Sequence, residues 1–103
     1  MVTTKYKVLK VLLENQGKSF DKIQVNLEKA FPDMSWQEIE SYLALLADEK
    51  YIVTSRGDDE ILEVCINDSA YAKLCEFQEL AKDEKEKRYF DKMIEIFKAI
   101  KPF

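Results

Sequence analysis

The chain has 103 residues, 47% hydrophobic and 35% charged, which suits one folded domain with a single modest core. It contains no histidine and only two glycines, so the commonest general base, the commonest zinc ligand and a glycine-rich phosphate loop are all excluded. The formal net charge of −4 arises entirely within residues 57–103, a balance that argues against a polyanion as the main partner.

Two amphipathic helices are predicted at the start of the chain. The first covers residues 4–16, and Gly17 fits the left-handed position that follows a helix. The second covers residues 20–31, because apolar side chains recur there at steps of three and four, and Pro32 ends it.

A third helix is predicted to begin at Ser35, where Ser-Trp-Gln-Glu matches a capping box formed by Ser35 and Glu38. At 100° per residue, one side of this helix is apolar and aromatic and is expected to face the core. That side carries Trp36, Ile39, Tyr42, Leu43 and Leu46. The opposite side carries Gln37, Ser41, Ala44, Leu45 and Asp48. Residues 35–49 include four carboxylates and no lysine or arginine.

The period of the apolar residues then changes from 3.6 to 2, which predicts a β-hairpin. Its strands are expected at residues 51–54 and 61–66, with a turn over 56–59. Leu62, Val64 and Ile66 occupy alternate positions, so we expect all three to face the core.

From about residue 68 the chain is predicted to be helical again. Residues 82–88 carry no apolar side chain, so one long helix and two helices with a hinge near Lys85 both fit the sequence. An apolar stripe near the end of the chain would either fold back on the domain or pack against a second copy. The stripe consists of Phe90, Met93, Ile94, Phe97 and Ile100.

Helix, helix, capped helix and two-stranded hairpin, in that order, resemble the winged helix-turn-helix. The resemblance covers residues 4–66 and rests on the spacing of Ile39, Leu43 and Leu46 and on the strand sequences YIV and ILEVCI. The end of the chain is similar to the dimerisation helix of small bacterial regulators such as the phenolic-acid-repressor (PadR-like) family. The resemblance implies a mainly α fold with a small β-hairpin (α+β).

The same resemblance implies a winged-helix core over residues 1–67 and a C-terminal helical extension over residues 68–103, together one structural unit. In such proteins the third helix enters the DNA major groove and the hairpin approaches the backbone. Carried over by position, Gln37 and Ser41 would face base edges and Arg56 would meet phosphate. Further phosphate contacts would come from Lys5, Lys7 and Lys10. The acidic third helix departs from that pattern, since each carboxylate near a phosphate costs about 1 kcal/mol even in water.

We therefore expect a non-enzymatic regulatory module of bacterial or phage type that acts mainly through protein contacts. A sequence-specific DNA-binding regulator is the alternative. Ala44 and Leu45 are the expected interface on the third helix, because they are apolar where a DNA reader carries polar or basic side chains. A homodimer through the C-terminal stripe is the second expected contact.

The two cysteines indicate where the protein works. Cys65 and Cys75 are too few for the disulfide framework of a small secreted domain, so we expect reduced thiols in the cytoplasm. The first residues show neither a signal peptide nor a membrane-spanning segment, and no membrane partner is expected. No cofactor, metal or catalytic residue is predicted, since neither thiol has a histidine to activate it.

Overall fold

A computed structural model describes residues 3–58 and 60–100, with the side chains of Glu60 and Ile100 outside that description. The described part of the chain is mainly helical with one small antiparallel hairpin, which confirms the predicted fold class. The elements in chain order are α1 (Thr4–Glu14), α2 (Phe20–Ala30), α3 (Trp36–Asp48), β1 (Ile52–Gly57), β2 (Glu60–Ile66), α4 (Ser69–Leu80) and α5 (Glu84–Ile100).

The first two helices form much as predicted, but α1 ends two residues early. Asn15 occupies its C-terminal cap, and the Asn15 side-chain amide donates a 2.7 Å hydrogen bond to the carbonyl of Val11. Gly17 adopts the expected positive φ, 86°, but it lies two residues beyond the cap and not directly after the helix. Helix α2 ends at Ala30 because Pro32 follows shortly after.

Both ends of α3 are held by backbone caps. The predicted capping box is confirmed: the Ser35 hydroxyl accepts a 3.2 Å hydrogen bond from the Glu38 amide, and the Glu38 carboxylate accepts one from the Ser35 amide. At the other end Lys50 adopts a left-handed φ of 68°. The amide of Tyr51 then bonds the carbonyl of Leu46 at 2.9 Å, which closes a Schellman turn and directs the chain into β1.

The hairpin faces the core with a different residue set from the one predicted. Val64 and Ile66 are buried as expected, whereas Leu62 is 59% exposed. The prediction that Leu62 faces the core is therefore wrong. Ile61, its neighbour, takes the inward position instead.

A β-bulge explains this difference. Ser55 pairs with Glu63, but the next residue, Arg56, pairs with Ile61, so Leu62 is an extra residue without a partner on β1. One extra residue reverses the alternation of side chains beyond it. A strict period of two cannot be extended across such a bulge, so the alternation predicted the wrong inward residue at the tip.

The C-terminal region forms two helices, which settles the alternative that the sequence left open. The break covers residues 81–83, a few residues before the expected hinge near Lys85. Ala81 leaves the helical region with φ −61° and ψ 132°. Asp83 then begins α5, because its carboxylate accepts a 2.7 Å hydrogen bond from the amide of Glu86.

The apolar stripe of α5 folds back on its own chain. Phe90, Met93, Ile94 and Phe97 are all buried in the single core, among side chains of α1 and α4. The ring of Phe90 lies 5.2 Å from Tyr6 of α1 and 5.9 Å from Phe77 of α4, centroid to centroid. These four side chains are therefore covered within one chain, which is the fold-back alternative, and pairing with a second copy stays a prediction. The side chain of Ile100 lies outside the described residues.

Candidate functional site

The outer face of α3, defined by Gln37, Ser41, Ala44, Leu45 and Asp48, is exposed along its whole length. Leu45 is 41% exposed, a large fraction for a leucine on a helix that otherwise closes the core. The opposite face confirms the predicted inner set: three of its residues are buried and two are half-buried. The buried ones are Ile39, Leu43 and Leu46, and the half-buried ones are Trp36 and Tyr42.

The chemistry of this outer face is apolar at its centre and acidic towards both ends. Ala44 and Leu45 form the apolar centre, with Glu38 near the start of the helix and Asp48 at its end. The Ser41 hydroxyl donates a 3.0 Å hydrogen bond to the carbonyl of Gln37, one turn earlier, so part of its polarity is already used within the helix. Such a face can bury apolar area and pair with cations, but it has no cation of its own.

Two of the three α1 lysines predicted to meet phosphate are paired with carboxylates of the same chain. The ammonium group of Lys5 lies 2.9 Å from both carboxylate oxygens of Glu49, just beyond the end of α3. Lys10 lies 3.6 Å from the carboxylate of Glu14. Lys7 is exposed. The ion pairs leave α1 with less net positive charge than its lysine count indicates, although surface pairs of this kind contribute only about 0–1 kcal/mol to stability.

The end of α3 is braced by a set of side chains that sequence patterns did not reveal. The ammonium groups of Lys5 and of Lys73 of α4 both lie over the ring of Tyr51, at 5.7 Å and 4.7 Å from its centroid. The Lys73 ammonium also donates to the backbone carbonyl of Glu49. The hydroxyl of Ser69 donates a 2.7 Å hydrogen bond to the carbonyl of Lys50. These contacts join residues far apart in sequence, so no local pattern predicts them.

A buried tyrosine pair completes this support beneath the end of α3. The hydroxyls of Tyr6 and Tyr51 lie 3.2 Å apart, and their rings meet edge to face. Burial, with the hydrogen bond to Tyr51, raises the pKa of Tyr6 well above its ordinary value. The Tyr6 hydroxyl therefore stays neutral over the physiological pH range and acts as a structural group.

The hairpin presents a second exposed surface, of which the sequence predicted only Arg56. Arg56, the predicted phosphate contact, is exposed near the tip. Val53, Leu62 and Cys65 are exposed on the outer side of the two strands. A Cβ atom on Gly57 would come within 2.9 Å of the Leu62 side chain, so the glycine makes room for the bulged leucine. Asp59 at the turn lies outside the described residues.

The cavities are shallow surface depressions. One of about 490 Å³ lies at the end of α3 and is lined by Glu49, Tyr51, Lys73 and Phe77 among others. Within residues 3–58 and 60–100, no three acidic or cysteine side chains are grouped in a way that could hold a metal ion. In the same part of the chain, none of the helices combines the length and the apolar character that crossing a bilayer requires.

Comparison of the chain with protein-family models, with curated proteins and with solved structures finds no match.

Proposed function

We propose that this chain is a non-enzymatic regulatory module of the winged-helix type that binds another protein through the outer face of α3. The order α1, α2, α3 and hairpin agrees with that architecture. One observation carries the choice of partner: the face that a winged helix offers to its ligand is here exposed, apolar at Ala44 and Leu45, and free of cations.

The energetic balance on this face favours a polypeptide over DNA. Docking it against a duplex would bring Asp48 and Glu38 towards phosphates, at about 1 kcal/mol for each close pair. Burying the exposed part of Leu45 against an apolar protein surface contributes about 1 kcal/mol. Against a polar groove the same leucine gains little. The matching partner surface is apolar at its centre and carries lysine or arginine around it.

A sequence-specific DNA-binding regulator is the second candidate. Gln37, Ser41 and Arg56 are all exposed, as base and phosphate contacts would have to be. Lys7 on α1 is exposed as well, and it is the α1 lysine in this set for which no carboxylate partner is described. These features would support weak, strongly salt-dependent binding.

Titrating the purified chain onto a labelled mixed-sequence duplex at low salt separates the two candidates, with fluorescence anisotropy as the measurement. Our proposal expects no saturable binding even there. Saturable binding that weakens steeply with salt, and that is reduced by Arg56→Ala and by Gln37→Ala, would establish the second candidate and refute the first.

The protein-binding proposal needs a positive test as well. A photo-crosslinking residue at Leu45 should capture one partner in the native host, and the same residue at Val25 of α2 should not. Val25 is a matched control because it is also an exposed apolar helix position. The captured protein is then purified and its affinity measured. Leu45→Glu should weaken binding at least about tenfold, which corresponds to 1.4 kcal/mol, and Val25→Glu should leave it unchanged. Equal effects of the two substitutions would contradict the proposed surface.

A further inference from the structure

The break between α4 and α5 contains neither of the two residue types that usually interrupt a helix. Ala81, Lys82 and Asp83 include neither glycine nor proline, and alanine and lysine are among the best helix formers. The chain nevertheless leaves the helical conformation at Ala81, where ψ is 132°. Asp83 favours a new helix start, but Ala81 and Lys82 do not require the chain to leave the helix, so the tertiary packing of α5 decides the break.

A continuous helix through the break would satisfy backbone groups that the two separate helix ends leave without helical partners. It would keep the acid-before-base pairs Asp83 with Lys87 and Glu84 with Arg88, four residues apart, on one helix. It would give up the cap that Asp83 provides to α5. The local terms are thus nearly balanced, and the core contacts of α5 decide which form is populated.

Straightening would pull α5 away from its own core, so its apolar stripe would need an equivalent site. A second copy offers that site, because its own α5 leaves the same space when it straightens. Every contact of α5 with α1 and α4 would then be made again between chains.

The observed register of α4 against α5 shows how two such helices would meet. Tyr71 contacts Phe97, Phe77 contacts Phe90, and Gln78 contacts Asp91. The two residue numbers in each contact add up to about 168, as expected for two antiparallel helices in one register.

Continued through the break, this register places opposite charges against each other. Lys82 of one copy would face Glu86 of the other, and Asp83 would face Lys85. Leu80, which is 66% exposed at the end of α4, would face the aliphatic part of Arg88. The same register brings Glu84 of the two copies together at the twofold axis, so this segment of the exchanged dimer has four attractive charge pairs and one repulsive pair.

We propose that residues 81–83 are a hinge through which two copies of this chain exchange α5. In the exchanged dimer, residues 69–100 of each copy form one helix of about 48 Å, antiparallel to that of the other copy. The partner at this surface is a second copy of the chain, and the surface is the one that α5 covers in the monomer.

The first test varies the hinge and measures mass by size exclusion with light scattering, after refolding at high protein concentration. Asp83→Glu weakens the cap of α5 and favours the straight helix but keeps the charge that would face Lys85, so it should raise the dimer fraction several-fold. Inserting Gly-Ser-Gly between Ala81 and Lys82 relaxes the closed connection and should abolish the dimer. Lys92→Ala with Glu95→Ala, on the exposed side of α5, is the matched control and should change nothing. A purely monomeric Asp83→Glu variant would overturn the proposal.

The second test distinguishes exchange from simple association. Gln78→Cys with Asp91→Cys, in a chain that also carries Cys65→Ser and Cys75→Ser, places two thiols at a contact between α4 and α5. After oxidation, the dimer fraction should run as a covalent dimer on a non-reducing gel and the monomer fraction as a monomer. A dimer fraction that runs as a covalent monomer would refute exchange. Small-angle scattering of the dimer formed by the Asp83→Glu variant gives an independent measure, since exchange requires a central pair of helices about 48 Å long.

Discussion

Replacing Phe97 with alanine tests whether α5 belongs to the core of its own chain. Phe97 is 1% exposed and packs on the ring of Tyr71 at 5.6 Å between centroids. Removing a fully buried phenylalanine ring costs about 3–5 kcal/mol, from lost transfer free energy and the cavity left behind. That is a large part of the 5–15 kcal/mol that typically separates a folded domain from its unfolded chain.

The measurements are urea unfolding of the monomer, which gives the free energy of unfolding, and thermal unfolding, which gives the melting temperature. Both follow the fluorescence of Trp36, the single tryptophan. At 4–8 °C per kcal/mol, the melting temperature should fall by at least about 12 °C. Lys98→Ala, on the exposed side of the same turn, should change stability by less than about 0.5 kcal/mol. Both effects should be independent of protein concentration, because the contacts lie within one chain.

Two results would contradict this reasoning. A loss below about 1 kcal/mol would mean that the ring is not packed as described, since burial of this extent cannot be removed so cheaply. A loss that changes with protein concentration, in samples shown to be monomeric before unfolding, would mean that the ring packs on a second copy.

Four further substitutions test particular backbone and side-chain environments. Lys50→Gly should stabilise the fold by about 1 kcal/mol, because glycine adopts the left-handed φ of 68° without strain. Ala44→Gly, in the middle of α3, should destabilise the fold by about as much. Thermal unfolding measures both effects. Ser35→Ala should cost about 1 kcal/mol in the same assay, since it removes the capping hydroxyl of α3, and an unchanged melting temperature would contradict the cap. Burial, with a smaller effect of a nearby carboxylate, raises the pKa of Tyr89 to about 12 from 10.0. Tyr89 therefore ionises at a lower pH in the unfolded chain than in the folded one. Its contribution to the free energy of unfolding should be fully present below pH 10.0 and fall as the pH rises towards 12. Tyr89→Phe should reduce that fall.

Local patterns in the sequence were sufficient for most of the secondary structure. The capping residues Ser35 and Glu38 act on amides within the same turn, so their pattern predicts the start of α3 without any tertiary information. The same holds for the inner and outer sides of α3, because a helix fixes the direction of each side chain by its position. The candidate surface at Ala44 and Leu45 was thus visible in the sequence, together with its lack of cations.

Contacts between distant residues decided the rest. The bulge that exposes Leu62 depends on how two strands pair, and the ion pair between Lys5 and Glu49 joins residues 44 positions apart. The break at Ala81 is the clearest case, since the local preferences for one helix and for two are nearly balanced and the burial of the α5 stripe decides between them. Propensities differ by tenths of a kcal/mol per residue, whereas burying the ring of Phe97 alone contributes several. The chain alone therefore determined which segments are helices and strands, and the shared core determined where they turn and which of their faces remain exposed.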